Sequence, residues 1–313
     1  MFEEKIIIGK NTKHPLNGIL TLPDEINNPV PAVVLVHGSG ASNMDEKVLK
    51  LTPFKDLAEG LSSRGIAVIR YDKRIYAHKR QFINKPDITV KEETIEDAIL
   101  ATELLKADSR IDSNNIFIIG HSMGGMLAPR IDAEGGNYKG LILLAGSPRK
   151  IEEILIDQNK EVLNHVNKLL QWIIKRQIKK LSSKFDNMYN LTDEEAKKTS
   201  LMFGNAAKLY YFKEMGEHQS TNYLKKLDKP MLIMQGDKDF QVSVEKDFNL
   251  YKELLKNKDN VTFKLYENLN HAFVPSIYGN ITKLRKEYNV KQHICDYVID
   301  DIKAWVLSQS KLI

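Results

Sequence analysis

The chain has 313 residues, 42% of them apolar and 28% charged, a globular composition long enough for two domains or for one large domain with an insertion. Its single cysteine, Cys295, excludes an intrachain disulfide, Cys₂His₂-type zinc binding and CxxC redox chemistry. The net charge of +5 comes with no dense basic patch interleaved with aromatics, which argues against a nucleic-acid partner. In chain order, strands are expected at 5–8, 18–22, 32–36, 66–71, 115–119, 140–144, 231–235 and 261–266. Several of these runs, such as Val33-Val34-Leu35-Val36 and Ile116-Phe117-Ile118-Ile119, are apolar without alternation. That is the pattern of parallel strands buried on both faces. Helical periodicity falls between strands at 96–106 and 243–256, and again near the end at 290–307. The alternation predicts an α/β fold with a mostly parallel sheet.

One stretch breaks the rhythm. Between Leu144 and Met231 no strand is expected. Leu163, Val166, Leu169, Leu170, Ile173, Ile174, Ile178 and Leu181 instead follow helical spacing. Thr192 and Glu195 form a capping-box pattern ahead of another helical run. Residues 149–226 carry 15 Lys/Arg against 10 Asp/Glu, so the whole net charge of the chain lies in this segment. The expected organisation is a core of residues 1–148 and 227–313, interrupted by a helical cap at 149–226.

The segment Ile118-Ile119-Gly120-His121-Ser122-Met123-Gly124-Gly125 carries the strongest chemical signal. A G-x-S-x-G follows a buried strand and precedes a helix-compatible run, the setting of a nucleophile elbow. A sharp strand-to-helix turn leaves no room for side chains two residues before and after the serine, hence Gly120 and Gly124. It lifts the Ser122 hydroxyl above the carboxyl edge of the sheet. It also aims the Met123 amide, at a helix N-terminus, toward a developing oxyanion. A serine nucleophile needs a base and an acid that orients the base, and in this setting both follow it on loops after later strands. Asp237 and Asp239 follow the strand at 231–235. His271 follows the strand at 261–266, 32 residues beyond Asp239. The candidate base is His271, and Asp239 and Asp237 compete as the acid.

These motifs, with Val36-His37-Gly38-Ser39-Gly40, Tyr71-Asp72-Lys73-Arg74 and Leu269-Asn270-His271, resemble the α/β-hydrolase superfamily serine esterases over nearly the whole chain. The chain is most similar to the branch with dienelactone-hydrolase-like and serine-aminopeptidase-like enzymes, including bacterial cinnamoyl and feruloyl esterases. Dienelactone hydrolases use a cysteine nucleophile, where this chain has serine. The resemblance implies an α/β-hydrolase fold, a mostly parallel eight-stranded sheet flanked by helices, with the cap inserted after the sixth strand. Its G-x-x-D-x-x-V pattern maps onto Gly236, Asp239 and Val242, which favours Asp239 as the acid. It places the second oxyanion donor at the Ser39 amide and gives Tyr71–Arg74 a supporting role.

The remaining histidines lack metal-ligand spacing, so neither a metal nor a cofactor is expected. His121 is expected to pack beside the serine, and His37 to bond backbone under the oxyanion loop. The cap stripe, with Leu169, Leu170, Ile173 and Ile174, is expected to roof an acyl pocket, its basic residues forming a solvated face or touching anionic lipid. The function implied is carboxylic-ester hydrolysis of short-to-medium or aromatic acyl esters through an acyl-enzyme. A thioesterase, amidase or aminopeptidase with the same triad, or a slow ligand receptor on this scaffold, are the alternatives. The N-terminus lacks a signal-peptide pattern and no apolar run approaches the ~18 residues of a membrane span, so a cytoplasmic protein without stable membrane insertion is expected. A homo-oligomer is left open.

Overall fold

The computed structural model describes residues 1–82, 85–201 and 208–310. Eight strands form one sheet: β1 (Phe2–Ile8), β2 (Leu16–Leu22), β3 (Val30–Val36), β4 (Ala67–Tyr71), β5 (Ile111–His121), β6 (Leu141–Leu144), β7 (Met231–Gly236) and β8 (Val261–Tyr266). Their spatial order is β1-β2-β4-β3-β5-β6-β7-β8. The first two are antiparallel additions, and from β4 onward every pair is parallel. The fold is that of an α/β hydrolase, as expected. Strands β4, β6 and β7 are buried along their length, and β3 and β5 over their C-terminal parts, because helices cover both faces, which is why they lack alternation; the edge strand β8 is only partly covered.

Along β3, residues point alternately into two cores. Val34 and Val36 join a core on one face, while Val33 and Leu35 join the other. Helix α1 (Pro53–Ser62) packs into the second core through Phe54, Leu57 and Leu61. After β4 come two single turns, α2 (Arg74–Ala77) and α3 (Lys79–Phe82). Helix α4 (Glu96–Lys106) lies on the opposite face through Ala98, Ala101 and Leu105. Helix α5 (Met123–Ile131) leaves β5 at the elbow and is buried throughout.

Between β6 and β7 the described residues form five helices: α6 (Ile151–Leu163), α7 (Lys168–Met188), α8 (Asp193–Lys198), α9 (Leu209–Glu217) and α10 (Ser220–Lys226). The sequence-read capping box starts α8, with Thr192 and Glu195 bonded reciprocally. Phe185 and Met188 of α7, Ala196 of α8, and Leu209 and Phe212 of α9 share a separate small core. Residues 202–207 of the expected 149–226 segment lie outside the described residues.

The last three helices are α11 (Asn249–Leu254), α12 (Leu284–Glu287) and α13 (Asp296–Ser310). The final helix begins six residues later than its periodicity predicts. The Asp56 carboxylate accepts from Ile294 N–H at 3.1 Å and contacts His293 at 2.8 Å. Cys295 N–H reaches the Phe273 carbonyl at 3.3 Å. These bonds commit the backbone before Asp296 to partners outside a helix. Register aligns Val36 with Gly120, His121 with Leu144 and Gly236 with Tyr266. The carboxyl ends of five adjacent strands therefore open onto one edge, and the candidate residues all follow those ends.

Candidate active site

At the elbow, Ser122 has φ 55° and ψ −117°. A left-handed φ on a serine stores about 1–3 kcal/mol and persists only where its surroundings enforce it. The enforcement is visible in the flanking glycines. A Cβ on Gly120 would lie 2.2 Å from the Gly124 carbonyl oxygen, and a Cβ on Gly124 would lie 2.1 Å from that of Val36. Ser122 N–H donates to the Leu144 carbonyl at 2.8 Å, tying the turn to β6. The Met123 amide opens α5 and has no intrahelical acceptor.

His271 and Asp239 meet across the loops after β8 and β7. His271 Nδ1 lies 2.7 Å from Asp239 Oδ2. The same Oδ2 accepts from Gln235 Nε2 at 2.7 Å, and Oδ1 accepts the Gln241 and Val242 amides at 2.8 and 3.0 Å. Asp239 is thus engaged on both oxygens. Asp237 is employed elsewhere. It accepts from Asn268 N–H at 2.6 Å and pairs with Lys238. The structure brings Asp239, not Asp237, to His271.

The loop carrying His271 has its own support. Asn270 is fully buried, donates to Glu287 Oε1 at 3.0 Å and accepts the Ala272 amide at 3.0 Å. Glu287, also fully buried, accepts the Ile277 and Tyr278 amides. Burial alone would raise its pKa. The bonds from Asn270 and the two amides outweigh that and hold it below the ordinary carboxylate value.

A second buried network lies beneath the Gly38–Gly40 loop. Glu46 Oε1 accepts the Gly38 amide at 2.8 Å, and Lys73 Nζ donates to the Gly38 carbonyl at 2.8 Å. Lys73 also pairs with buried Glu93 at 2.6 Å. Glu46 Oε2 lies 2.8 Å from His121 Nδ1, while His121 Nε2 lies 2.9 Å from the His271 carbonyl. Burial disfavours charge on both His121 and Glu46. Their mutual attraction wins, raising the His121 pKa and lowering that of Glu46. Their attraction favours the charged pair, and His121, facing the Glu46 carboxylate and the His271 carbonyl, links the elbow to the His271 loop. His37, by contrast, is pushed down to about 4 by burial. As a neutral ring it bonds the Asn43 carbonyl through Nε2 at 2.9 Å.

Two adjoining cavities meet at Ser39 and Ala41. The smaller, about 240 Å³, is lined by Ser122, His271, Gly38, Leu51 and Tyr288 among others. The larger, about 480 Å³, lies beyond Ser39 and Met123 and is walled by Ile75, Ile151, Leu155, Tyr211 and Phe212. Ser39 thus stands where the two lobes join, and Met123, next to Ser122 in the chain, lines the larger. Ile151 and Leu155 of α6 and Tyr211 and Phe212 of α9 form the helical side of the larger lobe.

The stripe expected to form that wall does not reach it. Leu169, Leu170 and Ile173 are exposed, Leu169 by 71%, and Ile174 is half-buried. None of the four lines either lobe. Helix α7 turns inward through Ile174, Ile178, Leu181, Phe185 and Met188, and only its C-terminal half packs fully. The eight-residue stripe starts at the end of α6 with Leu163, crosses the connection at Val166, and on α7 divides between an outer face at Leu169, Leu170 and Ile173 and an inner one at Ile174, Ile178 and Leu181. Glu46, Gln235, Asn270 and Glu287 also escaped the sequence reading. Gln235 and Asn270 adjoin motif residues while Glu46 and Glu287 do not, and polarity alone does not reveal burial. Among the described residues no cluster of three His, Cys, Asp or Glu side chains is placed to hold a metal, and no helix is long and apolar enough to cross a membrane.

The sequence profile described as Serine aminopeptidase, S33 matches residues 27–275. Esterase EstD of Thermotoga maritima is 36% identical over 98% of this chain and 68% of its own length. The chain belongs to the serine aminopeptidase S33 family, within the α/β-hydrolase superfamily. The same fold is found in solved structures of low sequence identity. Est1E from Butyrivibrio proteoclasticus superposes with a TM-score of 0.59 at 17% identity, over 97% of this chain and 98% of its own. An esterase from Pyrococcus furiosus gives 0.57 at 15% identity, over 99% and 92%. A puromycin-hydrolyzing peptidase from Mycobacterium tuberculosis gives 0.60 at 13% identity, over 99% of this chain and 40% of its own. At these identities the likeness is one of fold, shared by proteins named as an esterase and as a peptidase.

Proposed function

We propose that this S33-family chain is a carboxylic-ester hydrolase in which Ser122, His271 and Asp239 form the catalytic triad. The observation that carries the reading is the 2.7 Å contact of His271 Nδ1 with Asp239 on the same cavity as the strained Ser122. Asp239 holds the Nδ1–H tautomer, leaving Nε2 as the basic nitrogen. Ser122 Oγ attacks the ester carbonyl carbon as His271 Nε2 takes the hydroxyl proton. The Ser39 and Met123 amides bind the resulting oxyanion, and removing one such donor typically lowers the rate about 10²–10³-fold. Collapse breaks the bond to the alcohol oxygen, which leaves with the proton from His271. Water, deprotonated by His271, then attacks the acyl-enzyme and restores Ser122.

The larger lobe receives the acyl group. Its wall of Ile75, Ile151, Leu155, Tyr211 and Phe212 adjoins both oxyanion donors and suits a short-to-medium or aromatic acyl chain. Residues 149–226 act as a cap over this lobe, the rest of the chain supplying the catalytic core. The test compares p-nitrophenyl esters of increasing acyl length with matched thioesters and amino-acid amides. Faster turnover of the esters, with an optimum at intermediate length, supports the reading. A preference for the amides would replace it.

A further inference from the structure

The outer face of α7 has no partner within the chain. Asn167 caps the helix, its side chain accepting from Leu170 N–H at 3.0 Å. That start fixes which residues turn outward. Leu169, Trp172 and Ile173 follow i, i+3, i+4 spacing and are exposed by 71%, 62% and 39%. Further along the helix, Arg176, Lys179 and Lys180 are also exposed. Residues 168–185 contain six Lys/Arg and no Asp or Glu. Among the described residues no carboxylate forms an ion pair with Lys168, Lys175, Arg176, Lys179 or Lys180. Arg176 instead lies over the Trp172 ring, 6.0 Å from its centroid.

We propose that this face of α7 docks on an anionic lipid bilayer, with Leu169, Trp172 and Ile173 entering the interface and the cations engaging acidic headgroups. Three observations favour a bilayer over another protein surface. The apolar spots are few and flanked by cations, as on helices that lie in a membrane interface. An exposed Trp is a side chain with an apolar body and a polar edge, suited to the headgroup level. A second copy of the chain fits poorly, because pairing α7 with itself would set Arg176, Lys179 and Lys180 against apolar residues or one another, with no acidic residue between 168 and 185 to answer them. The inner face of the same helix joins the small core containing Phe212, which lines the larger lobe. A docked α7 would hold that lobe near the membrane surface. The docking does not depend on the chain hydrolysing esters.

The test is co-sedimentation of the full chain with vesicles of phosphatidylcholine alone and of phosphatidylcholine mixed with phosphatidylglycerol, together with tryptophan emission. Trp305 is buried, so a vesicle-induced blue shift reports on Trp172. The expected result is binding to the mixed vesicles only, with a blue shift, and weakening by added salt. Neutralising Lys175, Arg176, Lys179 and Lys180 to Gln should reduce partition by roughly fivefold per cation. Leu169→Gln with Ile173→Gln should abolish the shift, while Trp172→Phe should remove the signal and keep most of the binding. All these positions are exposed, and circular dichroism confirms that each variant is folded. No partition at low salt, equal partition of the Gln variants, or a dimer in ultracentrifugation that the same substitutions dissolve would overturn the proposal.

Discussion

Replacing Asp239 with Asn should nearly silence the enzyme without unfolding it, and the reason can be worked out bond by bond. Asp239 accepts two backbone amides on Oδ1 and two side-chain donors, Gln235 and His271, on Oδ2. An Asn can satisfy only one of these pairs. If its oxygen stays on the Gln241 and Val242 amides, its NH₂ faces the Gln235 NH₂ and His271 Nδ1. Gln235 resists a flip, because its Nε2 also reaches the Val242 carbonyl at 3.2 Å. His271 must then accept at Nδ1, which moves its proton to Nε2 and leaves no lone pair for Ser122. The loss in kcat should be about 10⁴-fold, the scale of a wrong-tautomer triad. Asp237→Asn keeps an oxygen for the Asn268 amide and loses only an exposed Lys238 pair, so its kcat should stay within a few-fold. The assay is steady-state hydrolysis of p-nitrophenyl butyrate by both purified variants, with melting curves as the folding control. Equal losses, or an Asp239→Asn enzyme within tenfold of wild type, would refute the assignment.

Three further outcomes are expected. Leu155→Trp should fill the larger lobe and shorten the preferred acyl chain, with discrimination of about fourfold per methylene, whereas Leu169→Gln and Ile173→Gln should leave the chain-length profile unchanged; p-nitrophenyl ester series measure both. Gly120→Ala should prevent normal folding, since its Cβ would sit 2.2 Å from a backbone oxygen, at a cost of about 3 kcal/mol or more; loss of soluble protein or of the melting transition checks this. Glu46→Gln should destabilise the fold by about 3 kcal/mol through loss of the buried partner of His121. His121, raised above 6.5, contributes fully below that value and less as pH climbs through its folded-state pKa. Glu46, lowered below 4.5, contributes above that value and fades as pH falls through its own. The melting-temperature gap between wild type and Glu46→Gln should therefore be widest between pH 4.5 and 6.5 and narrow as pH climbs above that range; a gap independent of pH would contradict the ion pair.

The parts of the molecule that were readable from sequence are those where a local rule coincides with the global packing. Val33–Val36 and Ile116–Ile119 could be read as parallel strands because burial on both faces removes alternation. Gly120 and Gly124 could be read because the collisions that exclude larger residues lie within the elbow and at the adjacent end of β3. The inward face of α7 is not legible in the sequence, because helical spacing reports a stripe but not which side of it another element covers. The outer residues of the helix match the period as well as Phe185 and Met188 do. The late start of α13 depends on Asp56, more than two hundred residues away, and no window around residue 290 contains it. Glu46 and Glu287 were invisible for a related reason. Each is a buried carboxylate whose partner comes from a distant element, His121 from the end of β5 and Asn270 from the loop after β8.

The central claim, that Ser122 is the nucleophile served by His271, is tested most directly by intact-protein and peptide mass spectrometry after reaction with a p-nitrophenyl alkylphosphonate. The account predicts one phosphonyl adduct per chain, carried on the peptide containing Ser122, released p-nitrophenol in equal amount, and neither adduct nor ester turnover in folded Ser122→Ala. An adduct on another residue, or ester hydrolysis undiminished in Ser122→Ala, would contradict it.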